Sequence, residues 1–484
     1  MSIQNKRIKA SNLAQRSSDG FRETYGHSPL ESIAPFERDE IILGRRVGSG
    51  SFSSVYEIQD FNLRSHQSEI YTKEQVKVKK REETVKSVKN GARYVMKCLK
   101  DKLEDSDHDK GVFLCAAQDI AQEAEMLAAL SHPNIAKLHG VVASRHTAFL
   151  NGASQFFIIM ERLDRTLADK IGEWAKEKNS FTPSSSFKTL RSRSFLRNSS
   201  RSIVVDEVIG SATSVGKDKS LDSRLRVAAS LASAVDYLHS EGVIFRDLKP
   251  DNVGFDRQGN LKLFDFGLAR FMPRHGDKYE DVHTMSGTGT LRYTAPEVMF
   301  QQPYNLKADV YSFSAVLWEL LSLKKPFAKY KEKVDFEKAL LRVDFKPLVI
   351  NRRWPQSVQD ILERGSSRDL WSRPTMSEVC TVLDECAVKE VEGCDSVSGR
   401  STSSLPRSKS TVCFSRLPSR RDMQKLRSSF GSFTFKQTDL IVDFPRQPKL
   451  DSSAQKNYKR NLSDASETTT DTTLEEFLTQ VGGR

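Results

Sequence analysis

The segment Phe245-Arg-Asp-Leu-Lys-Pro-Asp-Asn252 constrains this chain more than any other. It follows directly on Leu221 to Ser240, where apolar residues return with the period of an amphipathic helix. A short loop thus receives two aspartates, a lysine and an asparagine. Taken alone it reads as a charged turn. Shortly after it comes Leu263-Phe-Asp-Phe-Gly267, which places an aspartate at a strand end before a glycine.

Two further pieces lie upstream. Val47-Gly-Ser-Gly-Ser-Phe-Ser-Ser-Val55 reads as a glycine turn between strands, where backbone amides can approach an anion closely because no Cβ intervenes. Alone it is a weak signal. Tyr94-Val-Met-Lys-Cys-Leu99 reads as an apolar strand carrying Lys97, which needs a carboxylate partner if it is buried, and Glu123 on the following helix is the natural candidate. Otherwise Lys97 is an exposed lysine on an edge strand. Phosphoryl transfer requires a carboxylate to orient an acceptor hydroxyl, a cation near the transferring group and oxygen ligands for Mg²⁺. Asp247, Lys249, Asn252 and Asp265 supply those chemistries in order.

From about Ile41 to about Leu383, allowing for two insertions, the chain resembles the eukaryotic protein kinase domain. Gly48, Gly50 and Val55 resemble its glycine-rich loop, and Lys97 and Glu123 its strand lysine and helix glutamate. Asp247, Lys249 and Asn252 match its catalytic loop, and Asp265-Phe-Gly267 its metal-binding motif. Ala295-Pro-Glu297 closes the segment that follows, and Arg373 stands where the family pairs an arginine with Glu297. Asp309-Val-Tyr-Ser-Phe resembles the helix that anchors the catalytic loop.

The resemblance implies an α+β fold with a small β-rich lobe, a larger helical lobe and ATP between them. It implies that Gly48, Ser49, Gly50 and Val55 cover ATP, with Val55 and Val95 against the adenine. Met160 would be the gatekeeper, and the backbones of Glu161 and Leu163 would bond the adenine edge. Lys97, held by Glu123, would contact the α- and β-phosphates. Asp247 would take the substrate proton, Lys249 would stabilise the γ-phosphate, and Asn252 with Asp265 would hold Mg²⁺. Lys249 and Gly289-Thr290 resemble serine/threonine kinases. Asp309-Val-Tyr-Ser-Phe and Leu317-Trp-Glu319 resemble the tyrosine-kinase-like group, which keeps dual specificity open. Arg246 would pair with a phosphate on Ser286, added by an upstream activating kinase.

Three departures bear on activity. Ser53 replaces the third loop glycine, Phe245 the usual histidine, and Val95 the usual alanine. None removes a charge that the chemistry needs, which weighs against the alternative of a pseudokinase scaffold binding nucleotide and partners.

Composition sets the surroundings. Charged residues reach 29% and hydrophobic ones only 38%, so a folded core with polar additions is expected. Residues 1–37 read as a flexible leader and 38–388 as the kinase domain, with polar insertions at about 62–92 and 176–220. Residues 389–484 read as a disordered Ser/Arg-rich tail. The formal charge of +12 arises from 75 Lys and Arg against 63 Asp and Glu. Much of the excess lies in Ser/Arg-rich stretches without interleaved aromatics, so protein substrates are expected and specific nucleic-acid binding is not. Six scattered cysteines without a CxxC pair argue for reduced thiols. With no membrane span legible, a cytoplasmic location is expected, nuclear entry remaining open.

Overall fold

The computed structural model describes residues 2–63, 72–104, 111–180, 219–272, 278–285, 287, 289–342 and 348–388, all within one compact unit. It opens with a helix where a flexible leader was expected. α1 (Ile3–Tyr25) is capped by the Ser2 side chain, which accepts from the Asn5 amide, and ends at Gly26 in the left-handed conformation. Ala10, Ala14 and Phe21 are buried along it. That narrow apolar stripe, set among Lys, Arg, Gln and Ser, is enough to dock the helix once a partner surface exists.

A six-stranded sheet forms the smaller, β-rich part. Its strands are β1 (Pro35–Phe36), β2 (Ile41–Ser49), β3 (Ser53–Phe61), β4 (Tyr94–Leu99), β5 (Leu138–Val142) and β6 (Phe157–Glu161), in the order β1-β5-β6-β4-β3-β2. β1 pairs in parallel with β5, and every other neighbouring pair is antiparallel. β4 therefore lies inside the sheet, between β6 and β3. That overturns the edge-strand reading of Lys97.

Between β3 and β4 stands α2 (Thr72–Lys89), where a solvated loop was expected. Its Lys, Glu and Gln residues are good helix formers even without a wide apolar face. Val85 and Thr84 are buried, Arg81 pairs with Glu40, and Lys80 Nζ donates to the Ser32 carbonyl at 2.6 Å. α3 (Val112–Ala129) follows β4 and carries Glu123.

His139 on β5 packs against Tyr94 with the rings tilted by 50° and their centroids 4.6 Å apart. Burial, with Lys137 and Lys262 nearby, pushes its pKa down to about 4 from an ordinary 6.5. The folded chain then binds fewer protons than the unfolded chain between those values. Stability is complete above about pH 6.5 and declines as pH falls toward 4. Between pH 7 and pH 5 this group alone should cost on the order of 2 kcal/mol. Urea denaturation at both values checks it: His139→Phe should lose less stability than wild type by about that amount, and equal losses would refute the assignment.

The helical part begins beyond β6. It contains β7 (Arg165–Thr166), α4 (Leu167–Ser180), α5 (Lys219–Ser240) and the short strands β8 (Val243–Ile244), β9 (Val253–Phe255), β10 (Leu261–Leu263) and β11 (Arg270–Phe271). The latter form two small sheets, β10-β9-β7 and β11-β8. Then come α6 (Pro296–Met299), α7 (Lys307–Ser322), α8 (Lys333–Leu341), α9 (Gln356–Gly365) and α10 (Met376–Val388). α7 is buried from Lys307 to Leu321 and so forms the axis of a core. Most of the expected 176–220 insertion, the 389–484 tail and Ser286 lie outside the described residues. No described helix is long and apolar enough to cross a membrane.

Candidate active site

Lys97 projects from β4 into a buried cluster. Its Nζ donates to Glu123 Oε2 and Oε1 at 2.7 and 2.9 Å, and to Asp265 Oδ1 at 2.7 Å. Burial alone would discharge the lysine, but the two carboxylates together outweigh it and hold the ammonium above its ordinary range. Asp265 is held below the usual carboxylate range, chiefly by the charge on Lys97, with burial opposing and Lys249 assisting. Burial pushes Glu123 the other way, Lys97 offsetting part of it.

A second cluster gathers on the loop after β8. Lys249 Nζ donates to Asp247 Oδ2 at 2.6 Å and to Thr290 Oγ1 at 2.9 Å. The Thr290 hydroxyl donates to Asp247 Oδ1 at 3.0 Å, and Asn252 Nδ2 to the same carboxylate's Oδ2 at 3.0 Å. Asp247 thus has both oxygens oriented by three side chains. The Phe264 amide donates to the Asn252 carbonyl at 3.0 Å, which ties the segment that carries Asp265 to this loop.

The backbone around them is unusual. Arg246 and Asp265 are non-glycine residues at φ 71° and 68°, a conformation that costs about 1–3 kcal/mol each. Asp309, fully buried in α7, holds the first of these: its carboxylate accepts from the Phe245 and Arg246 amides at 2.8 and 2.9 Å, and His239 Nε2 lies 3.0 Å away. Phe245 packs edge-on against Phe266 at 5.1 Å, so the phenylalanine keeps the apolar contact expected of this position. Gly289 sits at φ 117°, where an added Cβ would stand 2.9 Å from the Arg246 carbonyl. Only glycine lets the Thr290 segment come this close to the loop.

The remaining expected residues fall where the sheet puts them. Val55 pairs with Lys97 and with Gly48, and Val95 pairs with buried Met160. Lys100 Nζ donates to the Gly50 carbonyl, tying the glycine turn to the end of β4. Ser49 ends β2. The side chains of Glu161 and Leu163 turn elsewhere. Glu161 accepts from the Lys137 amide at 2.9 Å, and Leu163 packs on Gly254. Arg246 donates to the Leu268 carbonyl at 2.6 Å and to the Tyr304 hydroxyl at 3.3 Å. Tyr279, whose hydroxyl lies 3.3 Å from His239 Nδ1, extends the Asp309 network and was not foreseen. Nothing local in the sequence links residues forty positions apart.

The sequence profile of the protein kinase domain matches residues 83–382. The chain belongs to the protein kinase family. The match begins inside α2, so the kinase's glycine turn lies ahead of it. Similar curated proteins include serine/threonine-protein kinase STY46 of Arabidopsis thaliana, 36% identical over 35% of this chain and 28% of that protein. Dual specificity protein kinase shkC of Dictyostelium discoideum is 32% identical over 36% of this chain and 34% of its own. Serine/threonine-protein kinase TNNI3K of Rattus norvegicus is 34% identical over 43% of this chain and 25% of its own. The kinase thus spans between a quarter and about a third of each of these relatives.

Proposed function

We propose that this chain is a serine/threonine protein kinase, transferring the γ-phosphoryl group of ATP to serine or threonine hydroxyls of other proteins in intracellular signalling. The observation that carries this reading is the Asp247 carboxylate, oriented by Lys249, Thr290 and Asn252. Asp247 is positioned to orient an acceptor hydroxyl and take its proton. Lys249 stands beside it as the cation for the transferring group. Lys97, kept charged by Glu123 and Asp265, takes the α- and β-phosphates. Gly48, Ser49, Gly50 and Val55 cover the nucleotide, with Val95 and Met160 behind the adenine and the backbones of Glu161 and Leu163 at its edge.

The donor set fits Mg²⁺. Asp265 offers a carboxylate kept ionised by Lys97, and Asn252, whose Nδ2 is engaged with Asp247, offers its amide oxygen. One carboxylate with one amide and substrate phosphates is the kind of oxygen set that Mg²⁺ accepts. Bound there, the ion would neutralise phosphate charge. Arg246 belongs to the same reading as the partner of a phosphate on Ser286.

The test is transfer from radiolabelled Mg·ATP to a generic basic protein, followed by phosphoamino-acid analysis. Wild type should label serine and threonine, and Asp247→Asn should be slower by about 10²–10⁴-fold. A wild type silent even after treatment with an activating kinase, or an equally active Asp247→Asn, would refute the assignment. Phosphotyrosine alongside phosphoserine would make the enzyme dual-specific.

A further inference from the structure

The Lys97–Glu123 contact depends on where α3 lies, and among the described residues α1 is the most extensive packing partner of α3. Four contacts frame that packing. Lys6 Nζ donates to the Glu104 carbonyl at 2.9 Å, and Arg7 pairs with the Glu104 carboxylate at 2.6 Å, just ahead of α3. Ser28, in the turn after α1, is fully buried and lies 2.9 and 2.8 Å from the two carboxylate oxygens of Glu125. Phe21 meets Phe271 of β11 edge-on at 5.4 Å.

Glu123 and Glu125 are both 1% exposed. Two residues apart on a helix, they are separated by about 200° and so face opposite sides. Glu123 reaches Lys97 on one side while Glu125 is held by Ser28 on the other. The Ser18 side chain and the Leu30 backbone also face Glu125, but a buried carboxylate that loses one of its donors is less well held, and turning the helix to relieve it would carry Glu123 off Lys97. β11 is bound into the same assembly, because Arg270 pairs with Asp119 of α3 at 3.3 Å and Gln122 Nε2 donates to the Ala269 carbonyl at 3.3 Å. Phe21 thus touches the strand that follows Asp265-Phe-Gly267.

We propose that α1 and the turn after it form an intramolecular clamp that holds α3 in register for phosphoryl transfer, with Ser28 and Phe21 as positioning residues. This rests on the kinase reading above. The clamp reaches the site through the Lys97–Glu123 pair, so its loss lowers kcat and raises the KM for ATP.

The experiment uses the full chain as Ser28→Ala, Ser28→Thr and Phe21→Ala. Hydrogen exchange of α3 and α7, kcat and KM for ATP, and the folded fraction are measured on each. Ser28→Ala and Phe21→Ala should speed α3 exchange by about tenfold with α7 unchanged, and lower kcat per folded molecule by about tenfold. Ser28→Thr, which keeps the hydroxyl, should restore both. Unchanged α3 exchange, or an unchanged kcat per folded molecule, overturns the clamp. If wild type transfers no phosphate even after treatment with an activating kinase, the kinase reading falls, and α3 exchange alone then upholds or overturns the clamp.

Discussion

Lys97→Met should lower kcat by about 10²–10³-fold, the scale for removing one preorganised charge-stabilising group. The larger lesson lies in what remains. Glu123 and Asp265 both accept from the Lys97 ammonium, at 2.7 Å each. Without it a buried carboxylate and a partly exposed one stand unneutralised beside each other, and burial already drives Glu123 toward the protonated form. Glu123 in the variant therefore titrates above its unfolded value, and its contribution to stability is present at low pH and lost as pH rises through the folded value. Relative to wild type, the variant should gain stability between pH 7 and pH 5. Glu123→Gln keeps a hydrogen-bond acceptor and should cost less in both respects. Chemical denaturation and steady-state kinetics read these effects. A Lys97→Met protein retaining more than about a tenth of wild-type kcat would remove Lys97 from the site.

Arg373→Ala should be the most destabilising single change outside the site, at about 3–5 kcal/mol. Its guanidinium meets Glu297 through two parallel bonds of 2.6 and 2.8 Å, with both side chains fully buried. It also donates to the Ser367 and Lys307 carbonyls at 2.9 and 3.1 Å. One side chain therefore ties α6, the start of α7 and the loop before α10. Truncation leaves Glu297 charged and unpaired in a core. Arg373→Lys should recover little, because a point charge cannot replace the planar fork. Replacing both partners with methionine should recover much of the loss, since no orphaned charge remains. A loss below about 1 kcal/mol in guanidinium denaturation would place the pair among solvent-screened contacts and refute this account.

How much of this was legible depends on how local each signal is. The Asp247 loop could be read because Asp247, Lys249 and Asn252 lie within six positions, and the helix that delivers them has a wide apolar face. Lys97 was legible as a charge in an apolar strand, and Glu123 as a candidate carboxylate on the helix that follows. The two elements that were misread share a different physics. α1 buries only a narrow stripe of small residues with Phe21, and α2 buries little beyond Thr84 and Val85, so hydrophobic periodicity is faint in both. The clues were of another kind: Ser2 and Gly26 as caps, and a run of strong helix formers in α2. Ser28 with Glu125, and Tyr279 with His239, are long-range pairs that no local pattern encodes.

The placement of α2 has a consequence for how this fold assembles. β3 and β4 pair in strict antiparallel register, from Ser53 with Leu99 to Ile58 with Tyr94, yet a connection of about thirty residues stands where a hairpin would use two to five. Each doubling of such a connection adds about 0.6 kcal/mol of closure entropy, so the ladder cannot zip from its turn as a hairpin does. In the folded chain α2, held by Arg81 on Glu40 and Lys80 on Ser32, keeps the strand ends together. The strand that carries Lys97 is thereby bracketed by non-local contacts on both sides, with β3 and with β6. Pairing on both edges closes the sheet and seats Lys97 beside Glu123.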